Sequence, residues 1–193
     1  MAKYDLDTQQ PFIASMVAFA LDGLDGTPFA MNMRQKAKAQ KVLIVKKPTG
    51  GASNISKASA RKILINRSYW QIRNVQEGVY RNGHPCFEDK ILDGHVYWNE
   101  YRLFDSNAKC GGMFIKTGDV DHGNLIQVLH EVSHYVQHTL RNSDRTKWPH
   151  MRKPHGEGFV QIYSRLRETF CNDPATRTAF IEKCKSMGFR KVA

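Results

Sequence analysis

Apolar positions along this chain fall into runs of helical spacing separated by short β-branched stretches. Ile13, Met16, Val17, Ala20, Leu21 and Leu24 recur every three or four residues and predict an amphipathic helix over 9–22. Residues 28–40, rich in Ala, Met, Gln and Lys, predict a second helix, so residues 1–40 read as an N-terminal helical region. Leu125, Val128, Leu129, Val132, Tyr135 and Val136 form the stripe of a third, with Asp121, Gly123 and Asn124 supplying turn and capping chemistry before it. Phe159, Ile162, Tyr163, Leu166 and Phe170 mark a fourth. Asp173-Pro174 gives an N-cap and first-turn proline to a last helix that Gly188 ends. Between the helices, Lys41–Lys46 reads as a strand, Val96–Phe104 alternates partway, and Gly112–Lys116 is another short strand. Residues 56–80 are ambiguous: Ile63-Leu64-Ile65 suits a strand, and Trp70–Val79 suits either a strand or a helix.

At 193 residues the chain has the length of one domain, read as a single unit over 1–193 with a core at 90–170. No apolar run reaches transmembrane length, so no membrane association is expected. Pro11–Leu21 and Ala18-Phe19-Ala20 mimic a signal peptide and its cleavage site. Asp5 and Asp7 beside the lone Lys3 oppose that reading, and a non-secreted protein is expected, cytoplasmic or, if DNA-associated, in the nucleoid or nucleus. In such a protein the glycosylation patterns at Asn54 and Asn66 carry no weight. Cys86, Cys110, Cys171 and Cys184 have no metal-type spacing, and reduced thiols follow. Gly51 to Lys57 superficially suggests a phosphate loop but lacks the glycine before the lysine and the Ser/Thr after it, which excludes nucleotide binding of that kind.

Charge adds a partner class. The net charge is +11, and residues 141–193 hold 12 of the 29 Lys and Arg but only 5 of the 18 Asp and Glu. Such an excess suits contact with DNA or another nucleic acid, because neutralised phosphates release counterions. The aromatics in Arg67–Arg73 and Trp148 beside Lys147 are candidates for base stacking, with core or rim packing as the ordinary alternative.

The third helix carries the chemistry. His130-Glu131-Val132-Ser133-His134 reads H-E-x-x-H, and four residues of helix set both imidazoles on one face, where they can share a tetrahedral Zn²⁺. Glu131 lies beside them, placed to act as general base toward a water on the metal. A catalytic zinc needs a third protein ligand and a fourth position left for water. His138 is excluded by distance, since eight residues of continuous helix separate it from His130 by about 12 Å along the axis. His155, in His155-Gly156-Glu157-Gly158-Phe159, opens a separate helix and can approach from a new direction. Glu157, His150 and Glu168 are the alternatives.

His130-Glu131-x-x-His134 followed by His155-Gly156-x-x-Phe159 resembles the SprT-like zinc metallopeptidases, the group that includes Spartan-type proteases acting on proteins crosslinked to DNA. The resemblance covers about residues 90–170. It implies one Zn²⁺ held by His130, His134 and His155, with Glu131 as the catalytic base. It also implies an edge strand, Gly112, Met113, Phe114 and Ile115, that aligns the substrate backbone by strand addition. The chain departs from the family in its long stretch between His134 and His155 and in lacking the C-x-x-C pairs of a zinc ribbon.

The expected fold is α+β and zincin-like: a small, mostly antiparallel sheet packed on the metal helix, with further helices covering it. The expected function is a zinc-dependent endopeptidase acting on protein substrates, including DNA-associated ones. Tyr163 is a candidate oxyanion donor if its helix turns it inward, with a buried core tyrosine as the ordinary alternative. The alternative function is a zinc-stabilised binding component of a larger assembly, such as a viral one, without proteolytic turnover.

Overall fold

Helical periodicity becomes packing around one central helix. The structure, a computed structural model, describes residues 6–46, 56–66, 90–92, 95–97, 120–171 and 174–188. In chain order the described elements are α1 (Leu6–Asp22), α2 (Met33–Lys41), β1 (Leu43–Lys46), β2 (Lys57–Ser59), β3 (Lys62–Asn66), β4 (Lys90–Leu92), β5 (His95–Tyr97), α3 (Val120–Ser143), α4 (Glu157–Cys171) and α5 (Pro174–Gly188). A 3₁₀ turn, Pro149–Met151, lies between α3 and α4.

The architecture is α+β. β3 is the central strand of a three-stranded sheet, parallel to β1 and antiparallel to β2, and β4 and β5 form a separate antiparallel pair. The expected mostly antiparallel sheet is therefore a mixed one. The reason lies in the connection: the chain leaves β1, enters β2 through residues 47–55, and turns tightly at Ala60-Arg61, so β3 runs in the direction of β1. β2 and β3 lie against α3, while α1 and α4 pack on it from other sides.

This central position explains the residues of α3. Leu125, Val128, Leu129, Val132, Tyr135 and Val136 are all fully buried, as their spacing predicts. The apolar face of α1 meets them with Ile13, Met16, Val17, Ala20, Leu21 and Leu24, and α4 with Phe159, Ile162, Tyr163 and Leu166. α5 packs on α1, where Phe180 sits against Phe19 edge to face and against Phe170 at 4.2 Å.

Boundaries follow local chemistry. α2 starts later than residue 28 because Asn32 and Gln35 form a reciprocal capping box, each side chain bonding the other's backbone N–H at 2.9 Å. α3 starts earlier than its sequence signals suggest, so Asn124 is an interior helical residue, buried with both amide atoms unpartnered, rather than a cap. α5 spans the expected Pro174 to Gly188.

Tyr135 ties α3 to α2: its hydroxyl donates to the Gln35 carbonyl at 2.8 Å while its ring is buried. Tyr135→Phe is expected to lower stability by about 1 kcal/mol in urea unfolding, since one hydrogen bond is lost with little change in shape. Metal uptake is expected to stay unchanged, and a loss of metal would mean that α2 helps to place the site.

Candidate metal centre

Two elements supply the site. α3 carries His130 and His134 one turn apart, and the segment between the 3₁₀ turn and α4 carries His155. Their metal-binding atoms lie within 4.8 Å of one another. His155 Nε2 stands 2.8 Å from His134 Nε2 and 3.2 Å from His130 Nε2. Nitrogens bound to one tetrahedral Zn²⁺ at about 2.0–2.1 Å sit about 3.3 Å apart, so this convergence is close to that of ligands sharing an ion. The three histidines are close enough to hold a metal.

What lies beneath the triad explains the His-Gly-x-Gly-Phe run. The Phe159 ring is a shared floor, with centroids 4.9 Å from His130, 4.5 Å from His134 and 4.8 Å from His155. Tyr163 extends that floor, nearly stacked on Phe159 at 5.5 Å. His155 has a φ of 55°, a left-handed backbone that a non-glycine residue adopts only when its surroundings enforce it. Gly156 closes the turn, its N–H bonding Lys153 O at 3.0 Å, and a Cβ there would sit 2.8 Å from Lys153 Cβ. A Cβ on Gly158 would run into Met151 Sδ and stand 3.1 Å from the His150 carbonyl. Gly158 thus permits close approach between α4 and the 3₁₀ turn, and Gly156 permits the tight turn back onto Lys153.

Burial sets the electrostatics. His134 has its pKa pushed down to about 3, first by desolvation and then by neighbouring His155, against a hydrogen bond to the Gln137 side-chain oxygen that raises it. A neutral imidazole is the form that ligates metal. Glu131 is 4 % exposed, and burial pushes its carboxyl up to about 8. Its Oε2 has no hydrogen-bond partner, an exception among buried polar atoms that marks a group suited to a further ligand. A dication beside it favours the carboxylate and opposes the burial effect.

The other candidates lie elsewhere. The ring of His138 is 6.3 Å from that of His134, and His138 is outside the cluster. His150 packs on Trp148, Glu157 accepts from Gln161 on the surface, and Glu168 is an exposed partner of Arg165. Tyr163 is fully buried, its ring 5.7 Å from that of His130 and its hydroxyl 3.5 Å from Arg167 Nη1. Burial raises the pKa of that hydroxyl. Gly112, Met113, Phe114, Ile115 and Cys110 lie outside the described residues, as does the aromatic-basic run 67–73. Gln137 was not singled out by its sequence, yet it contacts His134 Nδ1 at 3.3 Å and is buried. Its i+3 spacing from His134 was the available signal.

Comparison with family models, curated proteins and solved structures returned no match.

Two outcomes follow from this packing. Gly158→Ala is expected to destabilise the protein by about 1–3 kcal/mol, measured by chemical denaturation, because the His150 backbone has to give way. An unchanged midpoint would show that the 3₁₀ turn shifts freely. The second concerns pH in chelator-treated protein. Folded Glu131 titrates near 8 against an ordinary 4.5, so the folded state holds an extra proton between these values and stability falls as pH rises through them. Glu131→Gln removes that loss. The metal-free variant is expected to gain at most about 3 kcal/mol over wild type at pH 7, with no gap below pH 4.5. A gap independent of pH would mean that burial does not control this carboxyl.

Proposed function

We propose that this protein is a zinc-dependent endopeptidase of the H-E-x-x-H kind, with His130, His134 and His155 holding one Zn²⁺ and Glu131 as general base. The observation that carries this reading is the buried, unpartnered Glu131 carboxylate oxygen one residue along from a converging histidine triad. An all-imidazole donor set suits zinc, and three neutral ligands leave it the full divalent charge. Among the described residues no fourth His, Cys, Asp or Glu joins the three, which favours a working site over a closed structural one.

Zinc bound there supplies a water of lowered pKa and a Lewis acid for the scissile carbonyl. The protein's residues do the rest. Glu131 accepts the proton of the attacking water and then delivers it to the departing amine, a role helped by its dry surroundings. Phe159 and Tyr163 exclude water beneath the imidazoles and hold their ring planes. The SprT-like resemblance and its zincin-like arrangement of sheet and metal helix belong to the same proposal, as does the role of Gly112–Ile115 in holding substrate. Exposed Arg145, Lys147, Arg152 and Lys153, on the segment leading to His155, support a substrate associated with nucleic acid.

Elemental analysis of wild type, His155→Ala and Glu131→Gln tests the reading. One zinc per chain is expected in wild type and Glu131→Gln, and its loss in His155→Ala. Peptide cleavage by Glu131→Gln is expected to fall by about 10²–10⁴-fold. Full zinc in His155→Ala removes the third ligand from the proposal, and undiminished cleavage by Glu131→Gln removes the base.

A further inference from the structure

We infer that Gln137 is a positioning residue for the metal site, fixing the tautomer of His134 and fastening the His155 segment to α3. The inference rests on the zinc reading above for its consequence, but its structural half stands alone. Gln137 is 1 % exposed and lies one turn beyond His134 on α3. Its two amide atoms serve two different elements. Nε2 donates to the Lys153 carbonyl at 2.8 Å, and Oε1 lies 3.3 Å from His134 Nδ1.

The directions of these bonds are forced one after another. A carbonyl accepts only, so the Gln137 NH₂ must face Lys153 and Oε1 must face His134. Oε1 also accepts only, so Nδ1 must carry the imidazole proton. Neutral His134 then has a bare Nε2, and that is the nitrogen facing His155 and His130. A chain of hydrogen bonds starting at a backbone carbonyl thus selects the ligating tautomer before any metal arrives.

The same carbonyl links the chain to the third ligand. Lys153 O also accepts the Gly156 N–H at 3.0 Å, closing the turn that contains His155 and its left-handed backbone. Gln137 is therefore the side chain by which α3, bearing two of the histidines, grips the segment bearing the other. Partners of metal-ligating histidines of this kind typically alter metal affinity about 10–100-fold when removed.

The test uses the full chain, with ¹⁵N-labelled histidine, in metal-free and zinc-titrated forms of wild type, Gln137→Leu and Gln137→Glu. Long-range ¹H–¹⁵N spectra of metal-free wild type are expected to show His134 protonated at Nδ1 and bare at Nε2. In Gln137→Leu the Nε2–H tautomer is expected to appear, with zinc affinity about 10–100-fold weaker in chelator competition. Gln137→Glu keeps an acceptor for Nδ1–H but sets a carboxylate against the Lys153 carbonyl. It is expected to keep the wild-type tautomer while recovering only part of the affinity. An Nε2–H tautomer in wild type overturns the inference, as does wild-type zinc affinity in Gln137→Leu. Should Gln137→Leu fail to fold, the wild-type and Gln137→Glu spectra still decide it. Absence of zinc binding by wild type, with His134 in the expected tautomer, counts against the zinc reading and leaves the positioning role of Gln137 intact.

Discussion

The burial of a polar stripe on α3 is the constraint on which the rest of this structure depends. A helix surrounded by a sheet and other helices is ordinarily apolar on every side. α3 instead places Asn124, Gln127, Glu131, Ser133, His134 and Gln137 among its buried residues. Each buried polar group without a partner costs on the order of 1–3 kcal/mol, enough in sum to rival the net stability of a domain. Most are satisfied: Gln127 donates to Ser56, Ser133 bonds back to Leu129 O at 2.7 Å, and Gln137 links His134 to Lys153. Glu131 and Asn124 keep unpartnered atoms. The satisfied groups help to hold the fold, while the Glu131 carboxyl keeps an oxygen without a partner beside the histidines.

Holding three imidazoles together demands rigidity from a connection of twenty residues between His134 and His155. The long stretch from His134 to His155 is not slack, because α3 itself runs on to Ser143. Beyond it, Asp144 Oδ1 accepts from the Thr146 and Lys147 backbone N–H groups at 2.9 Å, and Trp148 packs on Phe29. Met151 is buried against Gly158. Each step fixes the next, so the positive φ of His155 is imposed from both sides. Strain of that kind costs about 1–3 kcal/mol and persists only where neighbouring contacts over-determine it.

Much of this was legible in the sequence, for a physical reason that also sets the limit. Helical periodicity reports burial directly, so the core stripes of α1, α3 and α4 and the shared face of His130 and His134 could be read from spacing alone. His155 stood out because it opens a separate helix and can approach the pair on α3 from a new direction. Less legible was anything fixed by contacts distant along the chain. The parallel pairing of β1 with β3 depends on where β2 lies, and a three-residue strand carries too few positions to show a period. Gln137 sits on the same face as His134, but its importance comes from a carbonyl sixteen residues away that no periodicity reveals. Asn124 misled for a related reason. Its preference for caps is local, whereas burial inside α3 is decided by packing.

The surroundings of His155 also bear on the proposed association with nucleic acid. Between α3 and α4 the chain divides its side chains by environment: Trp148 and Met151 turn inward to anchor it, while Arg145, Lys147, Arg152 and Lys153 face solvent. Trp148 is only 8 % exposed and in ring contact with Phe29 and His150, so it offers no open face for a nucleobase. Among the described residues of this segment, what faces solvent is charge without an aromatic platform. Phosphate contacts of this type carry no sequence information and weaken steeply with salt. Under the proposed function, a polyanion held along this segment would be attracted by charge alone, and selectivity would have to come from the polypeptide substrate.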